Sequence, residues 1–290
     1  MLIGGIEAGG TKMVCAIADE NGKLIDRATI PTTQPKETME AMISYFKNQK
    51  ISALGIGCFG PLDLNPASAT YGYITQTPKP GWKNTDVVGT FSQALDIPVA
   101  IDTDVNAAIL GEVTWGAAKD CDTAIYITIG TGIGVGVYCN GTLLHGMTHP
   151  EAGHILMRRH PSDTFKGNCP YHFDCFEGLA SGPALEVRYG TKAAALADDE
   201  NVWKLEAYYI AQAITNYILT YSPQKIILWG GVMHQPQLYP LVRQNVQEML
   251  NGYIYHSNIQ NLDEYIIPPA LGENPGILGA IKLGLQALEK

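Results

Sequence analysis

Cys169-X2-His172-X2-Cys175 sets two thiols and an imidazole at chelating intervals, and His154 stands upstream as a fourth donor. Sulfur and imidazole nitrogen are the donor set of tetrahedral zinc, and four protein ligands leave no position for a reacting water, so the expectation is structural Zn2+. The stretch 149–177 has the charged, Pro-rich texture of a loop without its own core, which a metal would order. A chance cluster of polar loop residues is the competing account, and His149 and His160 are rival donors or exposed loop histidines. Asp102-Thr-Asp-Val-Asn106 falls where an apolar run gives way to a helical pattern. A carboxylate at such a strand end can take a proton from a substrate hydroxyl, although helix capping by Asp102 or Asp104 explains the same residues.

Gly9, Gly10, Thr11 and Lys12 lie between two strand-like runs. Glycine lets a backbone approach a phosphate closely, and the amides, a hydroxyl and an ammonium can meet its charge; an ordinary tight turn is the simpler account. Ile129-Gly-Thr-Gly-Ile-Gly-Val-Gly136 imitates a dinucleotide fingerprint, but its glycines lead into another strand and an Asn-Gly turn where the fingerprint needs a helix. A second phosphate-gripping hairpin, with Thr131 and Gly132 at its tip, fits better. Trp229-Gly-Gly-Val232 follows a strand, so Gly230, Gly231 and Val232 suit either a nucleotide or a plain βα turn. Glu151, His154 and Glu177 could accept from vicinal sugar hydroxyls or stand as solvated loop acids.

These residues need elements to hold them, and the pattern supplies the same grammar twice. Leu2 to Ile6, a Gly-rich turn, Met13 to Ala18 and Asn21-Gly22 read as strand, turn, strand, hairpin turn; Ala124 to Ile129, the glycines and Val135 to Cys139 repeat it. Helices are expected over Lys36 to Asn48, Asp104 to Ala118, Ser181 to Tyr189, Trp203 to Tyr221, Leu238 to Leu250 and Pro275 to Leu288, with strands at Ile51 to Cys58, Ile97 to Ile101 and Lys225 to Trp229. The expectation is two α/β lobes, 1–117 joined by about 275–290, and 118–274, with a ligand in the cleft between them.

Composition removes other classes. The 290 residues are 46% hydrophobic and 16% charged, enough apolar material for a core. A formal charge of -9 provides no cationic field for nucleic acid. The opening MLIGGIEAGGTKMVC is too short in apolar length for a signal peptide, and no run of about 18 apolar residues could span a membrane, so a cytoplasmic chain is expected. The six cysteines are too scattered for a disulfide framework, and Cys15, Cys58 and Cys139 read as buried thiols.

Together GIEAGGTK (5–12), DTDVNAA (102–108), IGTGIGVG (129–136), HPEAGH (149–154), CPYHFDCFEGLASG (169–182) and WGGV (229–232) resemble the ROK family of sugar kinases, and in particular its bacterial fructokinase branch. The resemblance implies a two-lobed actin-like ATPase (ribonuclease H-like) α/β fold with a zinc-bound loop. It also implies Asp104 as the catalytic base; Gly9, Gly10, Thr11, Lys12, Thr131, Gly132, Pro183, Gly230, Gly231 and Val232 at the nucleotide; and Glu151, His154 and Glu177 at the sugar. His154 would join Cys169, His172 and Cys175 on Zn2+, and Mg2+ would accompany ATP. The implied reaction is phosphorylation of D-fructose, with mannose or glucose as alternatives, in a protein with no nucleic-acid partner that pairs as a homodimer. The family also holds sugar-responsive repressors; here the first strand begins at Leu2, with no DNA-binding domain expected ahead of it. Three positions depart from the usual pattern: Glu7 stands for Asp, Thr103 for Asn, and His172 for a third cysteine.

Overall fold

The computed structural model describes residues 1–289. The chain begins β1 (Leu2–Ala8), β2 (Lys12–Asp19), β3 (Leu24–Pro31), α1 (Pro35–Lys47), β4 (Ala53–Cys58), β5 (Tyr73–Ile74), β6 (Thr85–Asp86), α2 (Val88–Leu95), β7 (Val99–Thr103) and α3 (Asp104–Trp115). It continues through β8 (Ala124–Ile129), β9 (Ile133–Cys139), β10 (Thr142–Leu143), α4 (Phe176–Ala180), α5 (Gly182–Tyr189), α6 (Glu200–Tyr221) and β11 (Lys225–Trp229). The last elements are α7 (Leu238–Leu250), α8 (Ser257–Gln260), α9 (Leu262–Tyr265), β12 (Ile266–Ile267) and α10 (Pro275–Ala287). They pack as two units. One comprises Met1–Asp120, Leu143–Pro150 and the chain from Ala270 onward; the other comprises Cys121–Thr142 and Glu151–Pro269.

The sheet of the first unit runs β3-β2-β1-β4-β7. β1 and β2 pair antiparallel from Leu2↔Asp19 to Ala8↔Met13, while β1, β4 and β7 are parallel, with Ala8 beside Cys58 and Cys58 beside Thr103. This register puts the turn after Ala8 and the helix start after Thr103 on one sheet edge, two strand spacings or roughly 10 Å apart. Alternation along β2 sends Met13, Cys15 and Ile17 into a core with Met42 and Phe46 of α1 and Phe91 of α2. Val14 and Ala16 face Ile277 and Leu278 of α10, and Ala18 joins Ile3 and Ile281. Between α10 and α3 the approach is close enough to require glycine: a Cβ on Gly279 would sit 1.5 Å from the Ala107 carbonyl oxygen, and one on Gly111 2.5 Å from that of Pro275. The buried Glu112 carboxylate on α3 accepts from the amides of Ala270 (3.2 Å) and Leu271 (3.0 Å), fixing the chain where it returns to this unit.

In the second unit the order is β10-β9-β8-β11-β12, topologically the same. The β8–β9 hairpin closes at Ile129↔Ile133, and β11 runs parallel to β8 with Trp229 beside Thr128. Consequently the IGTG and WGG turns emerge on one edge. Trp203, Tyr209, Ile214 and Tyr217 bury the inner face of α6. Its Glu206 is buried, and neither carboxyl oxygen has a hydrogen-bond partner. Among the described residues no helix is long and apolar enough to cross a membrane.

Candidate active site

The first glycine turn is tied down from behind and open in front. The Gly9 amide donates to the Lys12 carbonyl (3.1 Å), the Thr32 hydroxyl to the Gly9 carbonyl (2.8 Å) and the Thr32 amide to the Thr11 carbonyl (3.0 Å). The Lys79 ammonium donates to the Gly10 carbonyl. Gly10, Thr11 and Lys12 themselves are exposed, and a Cβ on Gly10 would meet nothing within 4 Å. Such a turn presents unblocked backbone to an anion.

Asp104 opens α3 on the same edge. Desolvation raises its pKa to about 6, against hydrogen bonds that favour the anion, one of them from the Val105 amide at 2.9 Å. Glu7 rises to about 7, first by burial and then by the charge of Asp104, with Arg27 and Lys12 opposing. Neither Asp102 nor Asp104 caps the helix. Thr103 does so, its hydroxyl accepting from the Asn106 amide at 3.1 Å, which turns this side chain inward and leaves the Asp104 carboxyl uncommitted to capping. The buried Asp102 accepts from the Thr103 amide (2.7 Å) and the Asn106 side-chain amide (2.8 Å), and pairs with His145 at 2.8 Å. His149, expected as an exposed loop residue, is buried: its Nε2 accepts from the Leu62 amide at 3.1 Å, and desolvation lowers its pKa.

In the second unit Thr131 and Gly132 form the tip of the β8–β9 hairpin, closed by the Gly130 amide donating to the Gly132 carbonyl (2.9 Å). The Gly182 amide donates to the Gly130 carbonyl (2.8 Å), bringing the α5 N-terminus, with Pro183 in its first turn and Ser181 as its cap, against this hairpin. A helix start beside exposed turn backbone favours an anion. Gly230 adopts φ +105°, and its backbone passes so close to β8 that a Cβ would lie 2.4 Å from the Ile129 carbonyl oxygen. Gly231 beyond it is open, whereas Val232 is buried.

His154, Cys169, His172 and Cys175 converge, their ligand atoms all within 4.8 Å of one another. His154 Nδ1 lies 3.7 Å from Cys169 Sγ and 3.5 Å from Cys175 Sγ, and His172 Nδ1 lies 3.7 Å from Cys169 Sγ. Zinc bonds of about 2.3 Å to sulfur and 2.0 Å to nitrogen give tetrahedral edges of roughly 3.5 Å, so the four side chains fit that ion. Burial pushes the Cys175 thiol up to about 12, with Cys169 beside it adding to the rise, a state that a bound cation would reverse. Cys175 also caps α4, its sulfur accepting from the Gly178 amide at 3.4 Å. Two residues on, Glu177 has one oxygen accepting from the Ile133 amide (2.9 Å) and the other 3.9 Å from His154 Nε2. The Cys/His cluster is thereby linked to the hairpin tip through one carboxylate. Glu151 precedes the turn Ala152–His154 and is exposed, its carbonyl accepting from the His154 amide at 2.9 Å.

The first unit thus gathers Gly9, Gly10, Thr11, Lys12 and Asp104 on its own edge, and the second gathers Thr131, Gly132, Pro183, Gly230 and Gly231 on its own. The Asp102–His145 pair and Lys79 on the Gly10 turn carry no sequence signal: partners 43 and 69 residues apart share no local pattern. The Glu7–Asp104 interaction had one, the unusual glutamate ahead of the turn.

A family model described as the ROK family matches residues 3–287. The fructokinase of Pediococcus pentosaceus is 49% identical over 289 residues, covering 100% of this chain and 99% of that protein. The fructokinase of Streptococcus mutans is 44% identical over 294 residues, covering 100% and 97%. Among solved structures, the ROK hexokinase from Thermus thermophilus superimposes with a TM-score of 0.82 at 25% identity, covering 100% of this chain and 99% of that one. A match over residues 3–287 and relatives 44% and 49% identical along the whole chain agree with the topology described above: the chain belongs to the ROK family.

Proposed function

We propose that this protein is an ATP-dependent sugar kinase that transfers the γ-phosphoryl group of Mg-ATP to the 6-hydroxyl of D-fructose, releasing ADP and fructose 6-phosphate. Asp104 carries the reading. A desolvated carboxylate with a pKa of about 6 is ionised at neutral pH yet basic enough to take the hydroxyl proton as O6 bonds to the γ-phosphorus and the bond to the β–γ bridging oxygen breaks. Phosphoryl transfer otherwise asks for alignment and charge neutralisation, roles for Gly9, Gly10, Thr11 and Lys12 from one hairpin and Thr131, Gly132 and Pro183 from the other. Gly230, Gly231 and the buried Val232 border the adenosine.

Glu151, His154 and Glu177 orient the sugar hydroxyls. His154, Cys169, His172 and Cys175 would hold Zn2+, which when bound supplies a cross-link for the loop. With Nδ1 directed at the sulfurs, His154 keeps Nε2 for Glu177 or a hydroxyl. Fructose as substrate draws support from the full-length similarity to two fructokinases. The test is ADP release with fructose, mannose and glucose in parallel: kcat/KM should be highest for fructose, and a higher value for glucose or mannose, or no turnover with any of them, would overturn the assignment.

A further inference from the structure

We propose that His145 is a positioning residue for phosphoryl transfer: its Nε2–H donates to Asp102, and Asp102 holds the first turn of α3, on which Asp104 sits. The proposal rests on the reading of Asp104 as the proton acceptor. Asp102 is 3% exposed, and its Oδ1 takes both local donors, the Thr103 amide at 2.7 Å and the Asn106 side-chain amide at 2.8 Å. Its other oxygen, Oδ2, is met by His145 at 2.8 Å. Removing that donor leaves a buried carboxylate oxygen without its partner, a costly state that the carboxylate relieves by rotating. Rotation pulls Oδ1 off the Thr103 amide and the Asn106 side chain, the groups that frame the turn on either side of Asp104.

His145 is well placed to be a lever. It lies in Leu143–Pro150, a segment of the first unit that arrives from far along the chain and is pinned at its other end by His149 on the Leu62 amide. His145 also lines a cavity of about 490 Å³ with Pro61, Leu62, Thr75 and Thr148. Displacing a catalytic group by about 1 Å can cost up to a hundredfold in rate, so an effect through Asp102 appears in kcat.

Kinetics and amide exchange test this together. His145→Ala should lower kcat by roughly ten- to a hundredfold with both KM values within about twofold, and His145→Gln, which keeps an N–H donor, should recover most of the rate. In Asp102→Asn the further change His145→Ala should cost nothing more. Independently of turnover, the Thr103 and Asn106 amides should exchange about tenfold faster in His145→Ala and return toward the unaltered rate in His145→Gln. Unchanged kcat in His145→Ala, a rise in fructose KM at constant kcat, losses that multiply in the double variant, or unchanged exchange at Thr103 would each overturn the proposal. Should the unaltered protein phosphorylate no hexose, the kinase reading fails by itself, while the exchange rates still decide whether His145 holds the turn.

Discussion

In the first unit the edge where Ala8, Cys58 and Thr103 end is shaped by hydrogen-bonded backbone and two desolvated carboxyls set directly on sheet and helix. In the second, the corresponding edge after Ile129 and Trp229 bears a side loop whose Cys/His cluster reaches the hairpin tip through Glu177. One strand order therefore supports two ways of fixing polar groups. Where the core lies directly beneath, packing suffices, and the energetic cost appears as raised carboxyl pKa values. Where a loop must be ordered without a core, sulfur and imidazole donors converge on a point, and a metal is the natural completion.

Substitution at Asp104 sharpens the contrast most. Asp104→Asn should lower kcat by about two to four orders of magnitude while fructose affinity, measured by calorimetry, stays within severalfold. A base with a folded pKa of about 6 is lost to protonation below that pH, so kcat/KM should fall about tenfold per unit on the acid side. Near-normal turnover in the Asn variant would break the assignment. In the other unit, Cys175→Ser should abolish zinc in elemental analysis and raise fructose KM by roughly ten- to a hundredfold, through loss of loop order. Finding no zinc in the freshly purified unaltered protein would remove the contrast altogether.

Backbone substitutions come next. Gly230→Ala forces a side chain into φ +105° against the Ile129 carbonyl and should destabilise by about 1–3 kcal/mol in denaturant melts. Gly10→Ala, with open space around it, should stay within about 0.5 kcal/mol in stability; under the proposed phosphate role of this turn, the added methyl should raise ATP KM. At Glu206 the effect falls on stability alone, because burial drives its pKa well above the ordinary carboxylate value. A carboxyl that is harder to ionise when folded costs stability as pH rises from its unfolded toward its folded value. Glu206→Gln should therefore raise Tm at pH 8, and raise it less at pH 5, where the unfolded carboxyl is itself close to protonation.

The reach of the sequence followed the range of the interactions. Lys225–Trp229 is an unbroken apolar run after its lysine and Leu238–Leu250 carries a clear helical period, and the expected bounds match the observed β11 and α7. The glycine turns and the Cys/His cluster were legible for the same reason, since their spacing is the chemistry. Between Phe59 and Pro98, by contrast, α2 and the β5–β6 pair went unread. That stretch is ordered by turns such as the Asp63 carboxylate accepting from Ser68 (2.5 Å) and Thr70 (2.6 Å), and by the distant bridge Leu62↔Ile74, none of which leaves a period. Capping by Thr103 was hidden by its two acidic neighbours, and the burial of His149 depends on a backbone amide 87 residues away.

The close seating of α10 against α3 bears on how a ribosome delivers this molecule. Residues 121–269 can emerge and pair their own strands while the earlier sheet still waits for its covering helix, which follows them in the chain. A stop codon placed just after Pro269 would accordingly leave the helix that bears Asp104 without its glycine-matched neighbour, and the truncated product should be cleared by proteases.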